Sequence, residues 1–457
     1  MSEITTTNPA TGQLLATFET MDSDELDEVL SCAAEQFDVW SHSRLADRVA
    51  VVRRIAELYR KRIDELARDV ALEMGKPLAA AKGELNTVIS IYEYYADHAE
   101  ELLGDESIPV NGTGEAVLRM APLGVILGIM PWNFPHYQVA RFVAPNLILG
   151  NTLLLKHATV CAQSALNIEQ IMNDAGAGGG IYSNIFATHE DIEQMIFDAR
   201  LAGVSLTGSE RAGQRIGSLA GQAIKPVVLE LGGSDPFIVA ADADIEVAAR
   251  DAVIARCNNS GQQCTGGKRF IVDESIFDEF MELFIAGMEE VVVGDPLEDG
   301  TVMGPLSSKA ALDDLQTQVD QAVQDGATVL TGGQPLDLGG GYYYPPTLLA
   351  DVKPENRVYY QELFGPVGMV FSVSTFDEAI DLANDSPFGL SGAVYTKDDE
   401  KVDRAFNELE TGMVYINTPS KSAAELPFGG VKRSGIGREL GTLGIEEFAN
   451  KKLLRRP

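Results

Sequence analysis

Between positions 45 and 70 the apolar residues Leu45, Val49, Val52, Ile55, Leu58, Ile63, Leu66 and Val70 recur at helical spacing. They share one face of a helix, and Gly75 and Pro77 are expected to stop it. The stretch ELNTVISIYEYYADHAEELLG predicts a second helix that ends at Gly104. From Gly124 the texture changes. Short apolar runs, among them GVILGIM, NTLLLK, YSNIFA, AGVSLTG and KPVVLELGG, alternate with helical stretches. That alternation marks a parallel, doubly wound sheet with helices on both faces. It starts afresh after Gly233 with DPFIVA, KRFIVD, ATVLTGG, SGAVYT and MVYIN. The pattern predicts two α/β domains with a boundary near 232–234, and no low-complexity linker or internal repeat between them. The closing NKKLLRRP is basic and strand-like, and is expected to pair with another subunit.

Composition changes this picture little; charge changes it more. At 457 residues, 45% hydrophobic and 23% charged, the chain has room for two or three domains around large cores. No apolar run is long and charge-free enough to span a bilayer, and MSEITTTNPATG lacks the marks of a signal peptide. The four cysteines, Cys32, Cys161, Cys257 and Cys264, form no CxxC pair, which fits a reducing cytoplasm and no zinc site. Asp and Glu total 68 against 35 Lys and Arg, a formal charge of −33. Nucleic acid and anionic membranes are poor partners for such a surface. The acidic residues are scattered, as in DSDELDEVL and TFDEAIDLANDS, so the surface repels itself at low ionic strength. At ~1 M salt the screening length falls to about 3 Å. A salt-accumulating cytoplasm is therefore expected in preference to an ordinary one.

An α/β sheet invites a search for phosphate loops. No GxGxxG follows a predicted strand, GAGGG at 176–180 follows a helix, and GQQCTGGK has the wrong glycine spacing, with no Ser or Thr after Lys268. One turn survives. Gly208 and Ser209 lie between the strand AGVSL and a helix expected from Glu210, where backbone N–H groups suit a pyrophosphate. A different stretch asks for chemistry of its own. SGQQCT at 260–265 holds Cys264 in a polar, glycine-flanked setting, whereas a structural cysteine usually sits in an apolar run.

Taken together, PWNFP at 131–135, LLLKHA at 153–158, LTGS at 206–209, LELGG at 229–233, GQQC at 261–264, ELFGP at 362–366 and PFGGVKRSGIGRE at 427–439 resemble the aldehyde dehydrogenase superfamily in order and separation. Within it the chain is most similar to the succinate-semialdehyde dehydrogenases. The resemblance spans essentially the whole chain. It implies two doubly wound α/β domains plus a small β oligomerisation arm. Residues 1–103 and 123–233 would bind coenzyme, 234–432 would be catalytic, and 104–122 with 433–457 would supply the arm and C-terminal segment, in a homodimer or homotetramer.

The resemblance also assigns roles. Cys264 matches the nucleophile, since an aldehyde carbon needs a soft nucleophile that can later leave. Flanking N–H groups and a polar pocket are expected to raise its thiolate fraction. Asn133 matches the oxyanion donor, although alone it reads as a turn asparagine. Glu230 matches the base that activates water on the thioester; alone it is a paired strand-end carboxylate. Trp132, Lys156, Thr159, Gly208, Ser209, Glu362 and Phe364 match the coenzyme site. Thr159 stands where many NAD-preferring relatives carry a Glu, so NADP or NAD is expected, with no metal. Cys257, on the preceding helix, reads as structural.

Arg141 is the only charged residue in the predicted helix HYQVARFVAPNLILG. It matches an arginine that grips a distal carboxylate, with Ser422 beside it; the alternative is an internal ion pair with a Glu or Asp. Asn258 replaces a second arginine, and Gly266 replaces a second cysteine that forms a redox switch in some relatives. The expected reaction is oxidation of succinate semialdehyde to succinate. The rivals are another aliphatic or aromatic aldehyde, acyl transfer to coenzyme A, and a silent binding or structural protein on this scaffold.

Overall fold

The computed structural model describes residues 3–457. Its first sheet has six strands in the order Gly435–Ile436, Val227–Glu230, Leu201–Thr207, Val125–Met130, Thr152–His157 and Tyr182–Asn184. All neighbours run parallel except Gly435–Ile436, which lies antiparallel on Val227–Glu230. The chain winds outward in one direction from Val125–Met130, then returns and winds the other way from Leu201–Thr207. The crevice beyond the carboxyl ends of those two strands is where such sheets hold ligands. Pro131–Asn133 and Gly208–Ser209 open onto it.

Each face of this sheet buries its own apolar cluster. One packs under the helices Leu45–Lys61, Ile63–Met74, Leu78–Asp97, Tyr137–Leu149 and Ala162–Ala175. The other packs under Ser23–Trp40, His189–Phe197 and Glu210–Gln222. The expected helix from Leu45 to Met74 is two helices, broken at Arg62, which has φ −106° and ψ 13°. The reason is a phase slip. Apolar residues return every three or four places up to Leu58, then skip five to Ile63. The kink turns Leu66 and Val70 back into the core.

The second sheet has seven strands in the order Thr328–Thr331, Thr347–Ala350, Val367–Val373, Gly267–Asp273, Asp235–Val239, Ser391–Tyr395 and Met413–Ile416. Only the first of these pairs antiparallel. A third, antiparallel sheet joins Glu106–Ile108, Glu115–Pro122 and Ala449–Arg456. The basic C-terminal strand thus takes its first partner from its own chain, and leaves Leu453 61% exposed. Residues 435–436 and 441–446 sit with the first sheet and its helix Tyr137–Leu149 rather than with this arm. Among the described residues no helix is long and apolar enough to cross a membrane.

Candidate active site

The cysteine loop is held in a shape it would not adopt alone. Asn259, Ser260 and Gly261 follow one another in the left-handed region, with φ 54°, 55° and 68°. For a residue other than glycine that costs about 1–3 kcal/mol. Neighbouring bonds offset the cost. Asn259 Nδ2 donates to the carbonyls of Asn133 at 2.9 Å and Gln262 at 3.1 Å, and Ser260 Oγ donates to the Gly304 carbonyl at 2.9 Å. At Gly261 a Cβ would overlap the Gly365 carbonyl, so no other residue fits. Lys268 Nζ then donates to two successive carbonyls, Gln263 at 2.9 Å and Cys264 at 2.8 Å.

Asn133 reaches this loop from the first sheet. It is buried, and its Nδ2 donates to the Gln262 carbonyl at 3.1 Å, two residues before Cys264. An amide nitrogen carries two hydrogens, so one remains for another acceptor.

The deciding feature is the position of Cys264, which lines two cavities at once. One, of about 270 Å³, is bounded by Trp132, Asn133, Gly208, Ser209, Glu362 and Phe364. Ser209 caps the helix Glu210–Gln222, accepting from the Ala212 N–H at 3.3 Å. Phe364 stands edge-on to Trp132 at 5.8 Å. Glu362 accepts from the Gly233 N–H at 3.0 Å and lies 3.4 Å from Lys268. The other cavity, of about 300 Å³, contains Phe134, Tyr137, Arg141, Thr265, Ser422 and Phe428 in its walls. Tyr137 Oη and Ser422 Oγ are 2.5 Å apart, and the Arg141 guanidinium lies over the rings of Phe428 and Tyr137 at 4.3 and 5.0 Å.

The model of the aldehyde dehydrogenase family matches residues 1–454. The chain belongs to this family. It is 48% identical over 450 residues to a succinate-semialdehyde dehydrogenase [NADP(+)] of Deinococcus radiodurans, covering 98% of this chain and 94% of that one. It is 43% identical over 451 residues to the Mycobacterium tuberculosis protein of the same name numbered 1, covering 98% of each. The crystal structure of succinic semialdehyde dehydrogenase from Streptococcus pyogenes, in complex with NADP+, superposes with a TM-score of 0.97 at 40% identity, over 99% of this chain and 100% of that one.

In this aldehyde dehydrogenase, one expectation needs correcting. Burial pushes the Cys264 thiol up to about 12, against the pull of Arg141 and Lys268 and with the push of Glu362 and Asp235. The loop as it stands favours the thiol, not the thiolate. Cys257 is buried against Met288, as a structural cysteine should be.

Arg141 realises both of its readings. It is 1% exposed, and its Nε lies 2.6 Å from Glu439 Oε2, the internal ion pair. Nη2 donates to Thr207 Oγ1 at 3.2 Å, while buried Nη1 has no partner. Burial lowers the guanidinium's pKa, but Glu439, Tyr137 and Glu230 more than offset this, so it stays charged.

Glu230 lines neither cavity. It is buried at the end of Val227–Glu230, with both carboxylate oxygens free of hydrogen bonds, beside Gly429. Burial holds its carboxyl well above the usual carboxylate range; Arg141 opposes and Glu439 reinforces the shift. Lys156 is half-buried near the end of Thr152–His157, and Thr159 is exposed at the start of the turn Thr159–Cys161. Neither is among the residues lining the cavity around Trp132. Asn258 and Gly266 stand near the thiol as expected, one lining the substrate-side cavity and the other buried.

Sequence reasoning missed three participants. Glu439 lay inside the quoted PFGGVKRSGIGRE, and an arginine in an apolar helix needs such an acid, so a signal existed. Lys268 enters the sequence reading only through GQQCTGGK, whose spacing excludes a phosphate loop. Glu84 accepts the N–H groups of His136 and Tyr137 at 2.9 and 3.1 Å, steadying the start of the Arg141 helix, and carries no sequence mark.

Proposed function

We propose that this aldehyde dehydrogenase oxidises succinate semialdehyde to succinate, with NADP or NAD as hydride acceptor. The observation that carries the reading is one sulfur forming part of the wall of two cavities, one of which holds a buried guanidinium with an unpartnered nitrogen. The relatives named for this substrate and for NADP(+) support it. The residues around Trp132 fit a dinucleotide. The helix N-terminus at Ser209 suits a pyrophosphate, Glu362 offers carboxylate oxygens to a ribose, and Phe364 and Trp132 wall an apolar slot. Lys156 and Thr159 extend this site along the same sheet edge, and neutral Thr159 does not repel a 2′-phosphate.

The residues act in sequence. Arg141 and Ser422 hold the distal carboxylate and aim the aldehyde carbon at Cys264. Sulfur gives up its proton to solvent water in the cavity and bonds to that carbon as thiolate. The spare hydrogen of the Asn133 amide and the Cys264 backbone N–H hold the resulting oxyanion, about 2.7–4 kcal/mol per donor in comparable sites. A dinucleotide held by Ser209, Glu362, Phe364 and Trp132 would supply the hydride acceptor, and a thioester would be left on Cys264. For hydrolysis the Glu230 side chain, which no hydrogen bond ties down, turns from its buried position towards the thioester. There it takes a proton from the attacking water, and the sulfur leaves as product forms.

A panel of succinate semialdehyde, butanal and benzaldehyde against both coenzymes tests the reading. The catalytic efficiency for succinate semialdehyde should exceed that for butanal at least ~30-fold, the worth of a charge-assisted pair. Removing Arg141 alone strands Glu439 in a buried site, so the informative variant is Arg141→Met with Glu439→Gln. It should raise KM for succinate semialdehyde ~10–100-fold and leave butanal within about threefold. Equal rises in KM on both aldehydes would transfer the reading to an uncharged substrate.

We further infer a division into coenzyme and catalytic domains at the two large sheets, and a homodimer or homotetramer built on the exposed three-stranded arm. The charge of −33 supports life in a salt-rich cytoplasm. Melting and sedimentation at about 0.1 M and about 2 M KCl test both inferences, because screening tightens from about 10 Å to below 3 Å. Tm should rise by several degrees in the higher salt, and the oligomer should persist there. An unchanged Tm rejects the salt adaptation, and a monomer at both concentrations rejects the arm's role.

A further inference from the structure

Three positive side chains line the substrate-side cavity: Lys76, Arg141 and Lys421. Two of them are already neutralised. Lys76 is completely buried, forms an ion pair with Glu84 and sits 3.7 Å above the Phe134 ring. Arg141 is paired with Glu439, and Glu230 adds a second carboxyl close to the same guanidinium. The inner end of the cavity is therefore close to electrically neutral, inside a chain of formal charge −33. An anionic aldehyde approaching it meets a repulsive field and a cation already engaged.

Lys421 differs. It is exposed, and among the described residues no carboxylate lies within ion-pair distance of it. Its loop is nevertheless fixed. Tyr415 Oη donates to the Lys421 carbonyl at 3.1 Å, and the next residue, Ser422, is held at 2.5 Å by Tyr137, one helical turn from Arg141. The fixed backbone thus sets the exposed Lys421 side chain in the wall of the same cavity that Arg141 lines.

We propose that Lys421 is a specificity-determining residue, supplying the unpaired positive charge that draws the substrate's carboxylate into the cavity and holds it with Arg141. This rests on the reading of the substrate as a semialdehyde acid. The interaction is solvent-facing, so it contributes as exposed pairs do and weakens with salt.

Steady-state kinetics of Lys421→Gln, Lys421→Glu and Lys421→Arg, on succinate semialdehyde and on butanal, test it. At about 0.1 M KCl, Lys421→Gln should raise KM for succinate semialdehyde about fourfold with kcat unchanged. Lys421→Glu should raise it about tenfold or more, and Lys421→Arg should stay within about twofold of the parent. At about 2 M KCl the Gln variant should fall to within about twofold, and butanal should be unaffected at either salt. If the parent enzyme favours succinate semialdehyde while Lys421→Gln matches it at low salt, the proposal is overturned and the substrate reading stands. If the parent shows no preference for the charged aldehyde, both fall together. A KM increase shared by butanal also overturns it, because that marks a change in cavity shape, not charge.

Discussion

Cys264→Ser is expected to lower turnover by about 10⁴-fold or more, with folding and coenzyme binding intact. The chemistry asks for a group that attacks a carbonyl, tolerates hydride loss from the adduct and then leaves. A hydroxyl fails at the first step. Serine's oxygen is far less acidic than a thiol even when burial has pushed that thiol up to about 12. In the resting arrangement no carboxylate is poised beside the hydroxyl, since Glu230 lines neither cavity. The smaller oxygen also perturbs the walls least, which makes serine a clean probe. Reduced coenzyme followed by absorbance reads the loss, while Tm and coenzyme titration confirm an intact site. The same sulfur offers a pH test in the parent enzyme. Alkylation by iodoacetamide should climb steadily with pH towards about 12 without levelling near neutrality. A serine variant retaining a tenth of the activity would remove Cys264 from the chemistry.

The second large effect is expected from Glu230→Gln. Attack and hydride departure need no carboxylate at this position, so one equivalent of coenzyme per site should still be reduced in a burst. Hydrolysis of the thioester should then slow by about 10²–10⁴-fold. The sign of the pH dependence follows from burial. Because the Glu230 carboxyl titrates well above the usual carboxylate range, its ionised, proton-accepting form is scarce at low pH and grows as pH rises. The parent's steady-state rate should therefore increase with pH, while the Gln variant's slow phase should lose that dependence. Glu439 titrates together with Glu230 around the one guanidinium of Arg141, so the parent's profile reports the pair and not either carboxyl alone. Quenched-flow measurement of the burst separates the two steps. Loss of the burst itself would place Glu230 in the first half-reaction and overturn its assignment as hydrolytic base.

The thiol itself shows where local reasoning stops. A polar, glycine-flanked loop argues for thiolate, yet desolvation by the assembled walls outweighs the nearby cations. Arg141 shows the same limit from the other side. The helix around it announced a buried charge needing an anion, but not that one guanidinium would serve Glu439 through Nε and leave Nη1 unpartnered. In the Leu45–Met74 segment the five-residue skip that breaks the helix was visible in the apolar spacing, whereas the kink itself needed the core to form.

Local order in the chain was enough to determine the two alternating α/β runs, the glycine and proline stops and the motifs bearing Cys264, Asn133 and Glu230. Those depend on near neighbours and on period, which a linear string records. Only tertiary structure decided that Cys264 is shared between two cavities, that Glu439 answers Arg141 across 298 positions, and that Lys421 lines one of them without an ion pair among the described residues. Charge pairing and desolvation act through space, between residues whose separation along the chain carries no trace of their meeting.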